Sequence, residues 1–449
     1  MAAPRSLLML AFEFPPLSTV GVQRSLKLAQ YLPDEGVTPV VITTDVASLD
    51  TWFGRVPDST PLAELPAGVV IHRVPCPKGP VPAGLWSRRL RRLFSLGDED
   101  IGRQWEATLT AAWDRIVAEA NPTAVYVSTP PFSIAPLAAR LARRSGLPLI
   151  LDFRDSWSQW CHSPRPSWLH YQLVLRQERR CVEAADAIVA TTSQICRELR
   201  AVHPRVPANR CHAIPNGYDA TLPTVIAPRA TTSGPFVIGY VGSFYYLPQL
   251  RASVMEPWWR LPPRHWLNYS PRREDWLYRT PYFFFQALKQ LLDRRPDLRS
   301  RVTVRFVGDR EDWLAAQVAD FGLQDVVEHL GRLPHAASLA FQASCDALLS
   351  TSARTIGGRD QFVAGKTFEY VTSGRPVVAF VSEGEQKDFW QDSGIAMVCD
   401  PDNATISAEA LERLVSSQFV PHQNLPFLRR FHRRETARQL ASLIGVARP

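Results

Sequence analysis

Residues 6–44 read SLLMLAFEF, PPLSTVG, VQRSLKLAQYL, PDEG, VTPVVITT. An apolar run of strand length gives way to a turn rich in Pro, Ser and Gly. A stretch with apolar residues at helical spacing follows, and then a second apolar run. Strand, loop, helix, strand is a βαβ unit, which commits its strands to a parallel sheet covered by helices on both faces. Further strand-like runs follow at VVIHRV (69–74), AVYVST (124–129), PLILDF (148–153), AIVATT (187–192) and RCHAIP (210–215). Helical stretches such as 105–120 and 134–145 separate most of them.

Periodicity lapses at DATLPTVIAPRATTSGP (219–235), which reads as a linker, and then the pattern restarts. FVIGYVGS (236–243), VTVRFVG (302–308), VVEHLG (326–331), DALLST (346–351), PVVAFV (376–381) and IAMVCD (395–400) are the new strands. PHAASLAFQAS and AGKTFEYVTS are among the helices between them, and 425–447 reads as one terminal helix. The expected fold is α/β, with two doubly wound Rossmann-like domains facing a cleft. Expected boundaries are 1–220, a linker at 221–235, 236–425 with an insertion at about 244–281, and a helical tail at 426–449.

Composition narrows the function classes. With 449 residues, 45% hydrophobic and 21% charged, the chain is long enough for two cores and is neither disordered nor collagen-like. Net charge is +8, but only five of the 51 basic residues are lysines. That bias and the 38 prolines suggest a GC-rich bacterial genome rather than a nucleic-acid surface, and no nucleic-acid reader motif accompanies the charge. Seven scattered cysteines without a C-x-x-C pair argue against zinc and a disulfide framework and fit reduced thiols. The N-terminal apolar run, broken by Glu13, reads as a strand rather than a signal peptide, and no stretch is long enough to span a membrane. The expected location is cytoplasmic, with peripheral membrane contact an open alternative.

Two segments feed that alternative. Residues 245–285 carry four of the 13 tryptophans (Trp258, Trp259, Trp266, Trp276) and six arginines. Such a segment is core for its own domain, a wall over the cleft, or a membrane-interface element. Trp86 to Phe94 places Trp86, Leu90, Leu93 and Phe94 on one helical face, flanked by Arg88, Arg89, Arg91 and Arg92. This is an interfacial helix or a packed stripe with its arginines reaching water, and the second reading carries the expectation of a water-soluble acceptor.

Three places could hold chemistry. Pro15 to Arg24 is a small-residue turn at a helix N-terminus, where Gly21 admits close approach of an anion to the backbone, but G-x-G-x-x-G is missing. Asp152-Phe153-Arg154-Asp155-Ser156-Trp157 closes an expected central strand, where ligands of open sheets bind. Its two carboxylates and guanidinium suit sugar hydroxyls or an internal salt-bridge network. Gly358 to Pro376 is a Gly-bearing loop opening a helix. Lys366 supplies a compact cation there, and Glu369 lies one turn on, as a hydroxyl acceptor or an i,i+3 ion-pair partner. The acidic triplet Asp98-Glu99-Asp100 reads as a solvated turn, and no bound metal is expected.

Taken together, F-x-P-P-L-x-x-x-G-x-Q-R (Phe14 to Arg24), D-F-R-D-x-W (152–157), Ile214-Pro215-Asn216-Gly217, Lys366 to Tyr370 and Ser373-Gly374-Arg375-Pro376 resemble a GT-B-fold glycosyltransferase of the family-4 type. The resemblance covers roughly residues 5–445. It implies a nucleotide-sugar donor, UDP- or GDP-linked, held by the second domain, with transfer that retains anomeric configuration and needs no metal or cofactor. Glu369 matches the second glutamate of the family's E-x7-E motif, which binds ribose. The first falls on Gln361, which keeps hydrogen-bonding capacity without charge. On this reading Lys366 and the helix beginning near Phe362 stabilise the leaving diphosphate. Gly242 and Ser243 after one strand, Gly331 and Arg332 after another, and Gly21 from the first domain complete the donor set. Arg24, Arg154, Asp155 and Trp157 face the acceptor, a small molecule or glycan, with Asp155, Lys366 and Gln361 as the catalytic candidates. A catalytically silent scaffold and a sugar-nucleotide epimerase of the same shape are the competing readings.

Overall fold

The structure, a computed structural model, describes residues 5–17, 19–53, 58–79, 100–161, 163–226 and 234–444. The Trp86–Phe94 segment, Asp98 and Glu99, and residues 227–233 of the expected linker lie outside them. The chain divides into two compact units. The first takes the residues up to Asn216, Pro262–Pro271 and the chain from His432, and the second takes Gly217–Leu261 and Arg272–Phe431.

In the first unit β1 (Arg5–Leu10), β2 (Val37–Thr43), β3 (Val70–Arg73), β4 (Ala124–Thr129), β5 (Leu149–Phe153), β6 (Ala187–Ala190) and β7 (Cys211–Ala213) form one parallel sheet. Their order is β3-β2-β1-β4-β5-β6-β7. Helices cover both faces, so β4, β5 and β6 are buried along their whole length. This is why they read as unbroken apolar runs rather than alternating ones. The helix Ile134–Arg144 shows the matching signal, burying Ile134, Leu137, Ala138 and Leu141 at i, i+3, i+4, i+7.

The second unit holds a six-stranded parallel sheet, β11-β10-β8-β12-β14-β15. Its strands are β8 (Phe236–Val241), β10 (Val302–Val307), β11 (Val327–Gly331), β12 (Ala347–Thr351), β14 (Val377–Phe380) and β15 (Ala396–Cys399). A separate antiparallel pair joins β9 (Glu274–Asp275), inside the aromatic–Arg segment, to β13 (Arg354–Thr355). That segment has no single character. Trp276 is buried in the second unit, Trp258 and Trp259 are exposed there, and Pro262–Pro271 is built into the first unit.

The expected single terminal helix breaks in two, Leu425–Arg429 and Arg433–Leu443. Phe431 packs on Phe389 and Phe427 in the second unit, and Ala437 and Leu440 are buried in the first unit's core. Between the two helices, the His432 side chain accepts the Arg434 N–H and starts the last one. All seven cysteines are free thiols, and no helix among the described residues is long and apolar enough to cross a membrane.

Candidate functional site

In the second sheet β8 comes first in sequence yet lies inside, with β10 on one side and β12 on the other. The connections leave it in opposite directions. A crevice therefore opens beyond the carboxyl ends of β8 and β12, the place where open sheets take ligands. Gly242 and Ser243 follow β8 directly. Gly242 has φ +103°, and a Cβ there would stand 3.3 Å from Lys366 Nζ. Gly308, just past β10, is also constrained, since a Cβ would meet the Gly242 carbonyl oxygen at 2.6 Å. Glycine at both places lets the strand ends close up and the Lys366 side chain lie across them.

Lys366 sits on the first turn of the helix Gly365–Thr372. Its ammonium donates to the Tyr240 hydroxyl and to Ser243 O at 3.4 Å, and lies 3.8 Å from the Tyr240 ring centroid. Tyr240 is in turn stacked on Phe244 at 4.0 Å. Burial lowers the Lys366 pKa to about 7; Glu369 pulls it up and Arg279 pushes it down. No ion pair forms between Lys366 and Glu369, because Glu369 Oε2 accepts instead from the buried Gln342 Nε2 at 3.0 Å. The glutamate's position is thus set by a neutral donor.

The helix begins at Gly365 rather than near Phe362. Phe362 N–H is taken by Asp360 Oδ1 at 3.2 Å and Ala364 N–H by Gln386 Oε1 at 2.8 Å, which keeps the preceding loop non-helical. Gln361 lies fully buried within that loop. Gly331 ends β11 with φ +79°, and the Arg332 guanidinium next to it is exposed and paired with Asp309. Gly242, Ser243, Gly308, Asp309 and His329 line a small cavity at these strand ends.

Arg279 escaped the sequence reading. It closes the short turn Trp276–Arg279, and its carbonyl accepts from Thr351 Oγ1 at 2.6 Å, which ties that turn to the carboxyl end of β12. Its Nη2 lies 3.5 Å from Glu274 Oε2, and neither oxygen of that buried carboxylate accepts a hydrogen bond. Asp360 is buried too. Burial raises its pKa to about 7, the Glu274 charge adds to the rise, and Arg279 opposes it. A weakly held guanidinium and a half-buried ammonium therefore lie near a buried carboxyl, Asp360, that resists full ionisation.

The first unit repeats the topology at β1, between β2 and β4, with different contents. Arg24 is buried and gives two hydrogen bonds to Asp152, 2.6 and 2.9 Å, and others to Ile214 O, Pro215 O and Asn216 Oδ1. Tyr126 donates to the same carboxylate. Arg24's pKa stands above its ordinary value: burial works against the charge, and Asp152 more than offsets it. Of the residues expected to face an acceptor, Arg24 is thus spent on tying its helix, Val20–Tyr31, to β5 and to the segment after β7. Trp157 is likewise interior, stacked on Phe132 at 5.6 Å. Arg154 pairs with Glu13 at 3.1 Å, and both crowd Gly21, where a Cβ would lie 1.9 Å from Arg154 Nη1. Asp155 is half-buried at the strand's exit. No group of three or more metal-ligating side chains occurs among the described residues.

Two family models match the chain: a glycosyl transferase 4-like domain over residues 21–217 and glycosyl transferases group 1 over 278–417. Among curated proteins none matches in sequence. Solved structures share the fold along nearly the whole length. The apo lipopolysaccharide outer core galactosyltransferase WaaB is 13% identical, covering 98% of this chain and 99% of its own, with a TM-score of 0.57. Anabaena HepE, in complex with UDP, is 15% identical, covering 99% and 100%, with a TM-score of 0.55. The trehalose 6-phosphate synthase of Burkholderia multivorans is 15% identical, covering 98% of each chain, with a TM-score of 0.56. The chain belongs to the group 1, family-4-like glycosyltransferases of GT-B fold, which move a sugar from a nucleotide-sugar donor.

Proposed function

We propose that the second unit's crevice binds the nucleoside diphosphate part of the donor. Lys366, Arg279 and the backbone N–H groups at the Gly365 helix start meet the phosphates, and Glu369 accepts from the ribose hydroxyls. The observation that carries this reading is the presence of two cations, Lys366 and Arg279, near the β8/β12 switch point, where Arg279 depresses the Lys366 pKa and Lys366 forms no ion pair among the described residues. Departure of the diphosphate concentrates negative charge on its oxygens, and cations already in place favour that state over the bound ground state.

Transfer proceeds with retention and without a metal, a reading supported by the family likeness. Gln361, at the family's first glutamate, contributes a neutral donor and acceptor near the sugar. Gly242 and Ser243 give the diphosphate close access to backbone, while Gly331, Arg332 and Phe362 form the outer rim. The acceptor is a small molecule or glycan met by Arg154 and Asp155 of the first unit, with Arg24 and Trp157 positioning the strand ends beneath them.

Calorimetric titration with UDP and GDP tests the reading, and mass spectrometry of nucleotide retained on purification identifies the base. Tight binding of one of them, weakened by Lys366→Ala and by Arg279→Gln, is expected. No binding of either nucleotide overturns it. Nucleotide release from the donor sugar that requires an acceptor separates transfer from silent binding, and product NMR reads the anomeric outcome.

A further inference from the structure

Pro262–Pro271 is anchored in the first unit by an antiparallel bridge between Arg165 and Tyr269. Arg165 N–H donates to Tyr269 O at 2.8 Å and Tyr269 N–H to Arg165 O at 3.0 Å. The anchor is firm: Arg165 is buried with its guanidinium on Trp157 O, and the Tyr269 ring lies 4.9 Å from Tyr171. From this point both chains turn apolar side chains to solvent. Trp168 is 53% and Leu169 69% exposed on one, Trp266 49% and Leu267 76% on the other. Trp168 and Leu169 follow the bridge by three and four residues, and Trp266 and Leu267 precede it by three and two.

The helix Trp168–Ala184 already has a core face, made by Tyr171, Val174, Cys181 and Val182. Leu169 and Leu173 are on its other side, and Arg176 and Arg180 continue the same stripe at i+7 and i+11 from Leu169. Arg176, Arg179 and Arg180 are exposed and have no ion-pair partner among the described residues. Arg115, Arg140 and Arg144 of the same unit are exposed as well, yet each holds a carboxylate. No Asp or Glu occurs from Ser156 to Gln177 or from Pro257 to Arg273. An apolar tip therefore adjoins three exposed arginines that form no ion pair among the described residues, and the exposed acid next along the helix, Glu183, stands at its far end.

We propose that this face docks on an anionic lipid bilayer. Trp168, Leu169, Leu173, Trp266 and Leu267 enter the interface, and Arg176, Arg179 and Arg180 meet headgroup phosphates. Tryptophan suits that boundary because its ring is apolar with one polar edge, and clustered arginines beside an apolar face bind negatively charged lipid. A second copy of the chain fits less well, since a two-fold contact would set the three arginines of one copy against those of the other. The inference goes beyond sugar transfer and stands without it.

Flotation of the full chain with phosphatidylcholine vesicles, with and without phosphatidylglycerol, tests it. Co-flotation is expected with phosphatidylglycerol present and largely lost in high salt. The double variant Leu169→Gln, Leu267→Gln loses it while keeping the wild-type melting temperature. The triple variant Arg176→Gln, Arg179→Gln, Arg180→Gln loses the preference for the anionic lipid. Absence of wild-type binding overturns the proposal, as does binding that both variants retain. A dimer in ultracentrifugation that Leu169→Gln dissolves, without vesicle binding, would assign the face to a second copy instead. Nucleotide titration on the same preparations reports the donor site separately.

Discussion

At the carboxyl ends of β1 and β5, strong charges meet internal counterparts: Arg24 holds Asp152 and Arg154 holds Glu13. At the carboxyl ends of β8 and β12, Lys366 rests on a phenol and a carbonyl, and Arg279 stands 3.5 Å from a single carboxylate. The two strand orders place their first strand alike, so topology does not separate the crevices. Charge bookkeeping does. The ions of the first crevice satisfy one another, whereas the cations of the second rest on neutral groups and one carboxylate at 3.5 Å, which is why the proposed diphosphate site is assigned to the second.

Asp152→Asn should produce the largest effect. It strands the buried Arg24 charge and should cost the first unit about 3 to 5 kcal/mol of stability. Denaturant unfolding measures that loss, with donor affinity in the surviving folded protein unchanged; wild-type stability would break the contrast. Lys366→Ala should leave stability near wild type and lower turnover roughly 100-fold, more than it lowers ground-state affinity. Steady-state kinetics with saturating donor decides this, and an unchanged turnover number removes Lys366 from the chemistry. Glu369→Ala should weaken donor binding by about 1 to 3 kcal/mol through lost charge-assisted hydrogen bonds, read by calorimetry.

A smaller effect concerns pH. With its pKa lowered to about 7, Lys366 is charged below that value and neutral above it. A diphosphate favours the charged form, so binding above pH 7 takes up a proton and affinity falls as pH rises. Stability moves the other way: the unfolded chain keeps this proton up to 10.5, so the Lys366 contribution to stability grows from about 7 upward. Calorimetry in buffers of different ionisation enthalpy detects the uptake, and Lys366→Arg should abolish it. Equal proton uptake by wild type and variant would place the titration elsewhere.

Much of the fold was legible because central strands buried on both faces leave continuous apolar runs, as Ala124–Thr129 and Leu149–Phe153 do. Lys366 stood out for a similar reason, as a lysine in a chain that spends its positive charge on arginine. Arg279 was lost in that same background, and its partners Glu274 and Thr351 become neighbours only through the fold. Arg24 and Asp152 were both singled out, but 128 residues separate them and nothing local announces that they neutralise each other. The break at His432 was hidden because the residues on either side serve different cores while keeping one amphipathic pattern.

That break has a consequence for how the protein is made. Arg5 donates to Ala441 O and to Ile444 O at 2.7 Å, and the helix Arg433–Leu443 supplies Ala437 and Leu440 to the core beneath β1. A ribosome delivers residue 5 long before residue 440, so the first unit must wait, its core open on one side, while the second unit is synthesised. Closing so long a loop is entropically costly and slow compared with pairing neighbours in sequence. Removing the helix Arg433–Leu443 would therefore be felt in β1, which is translated more than 400 residues earlier.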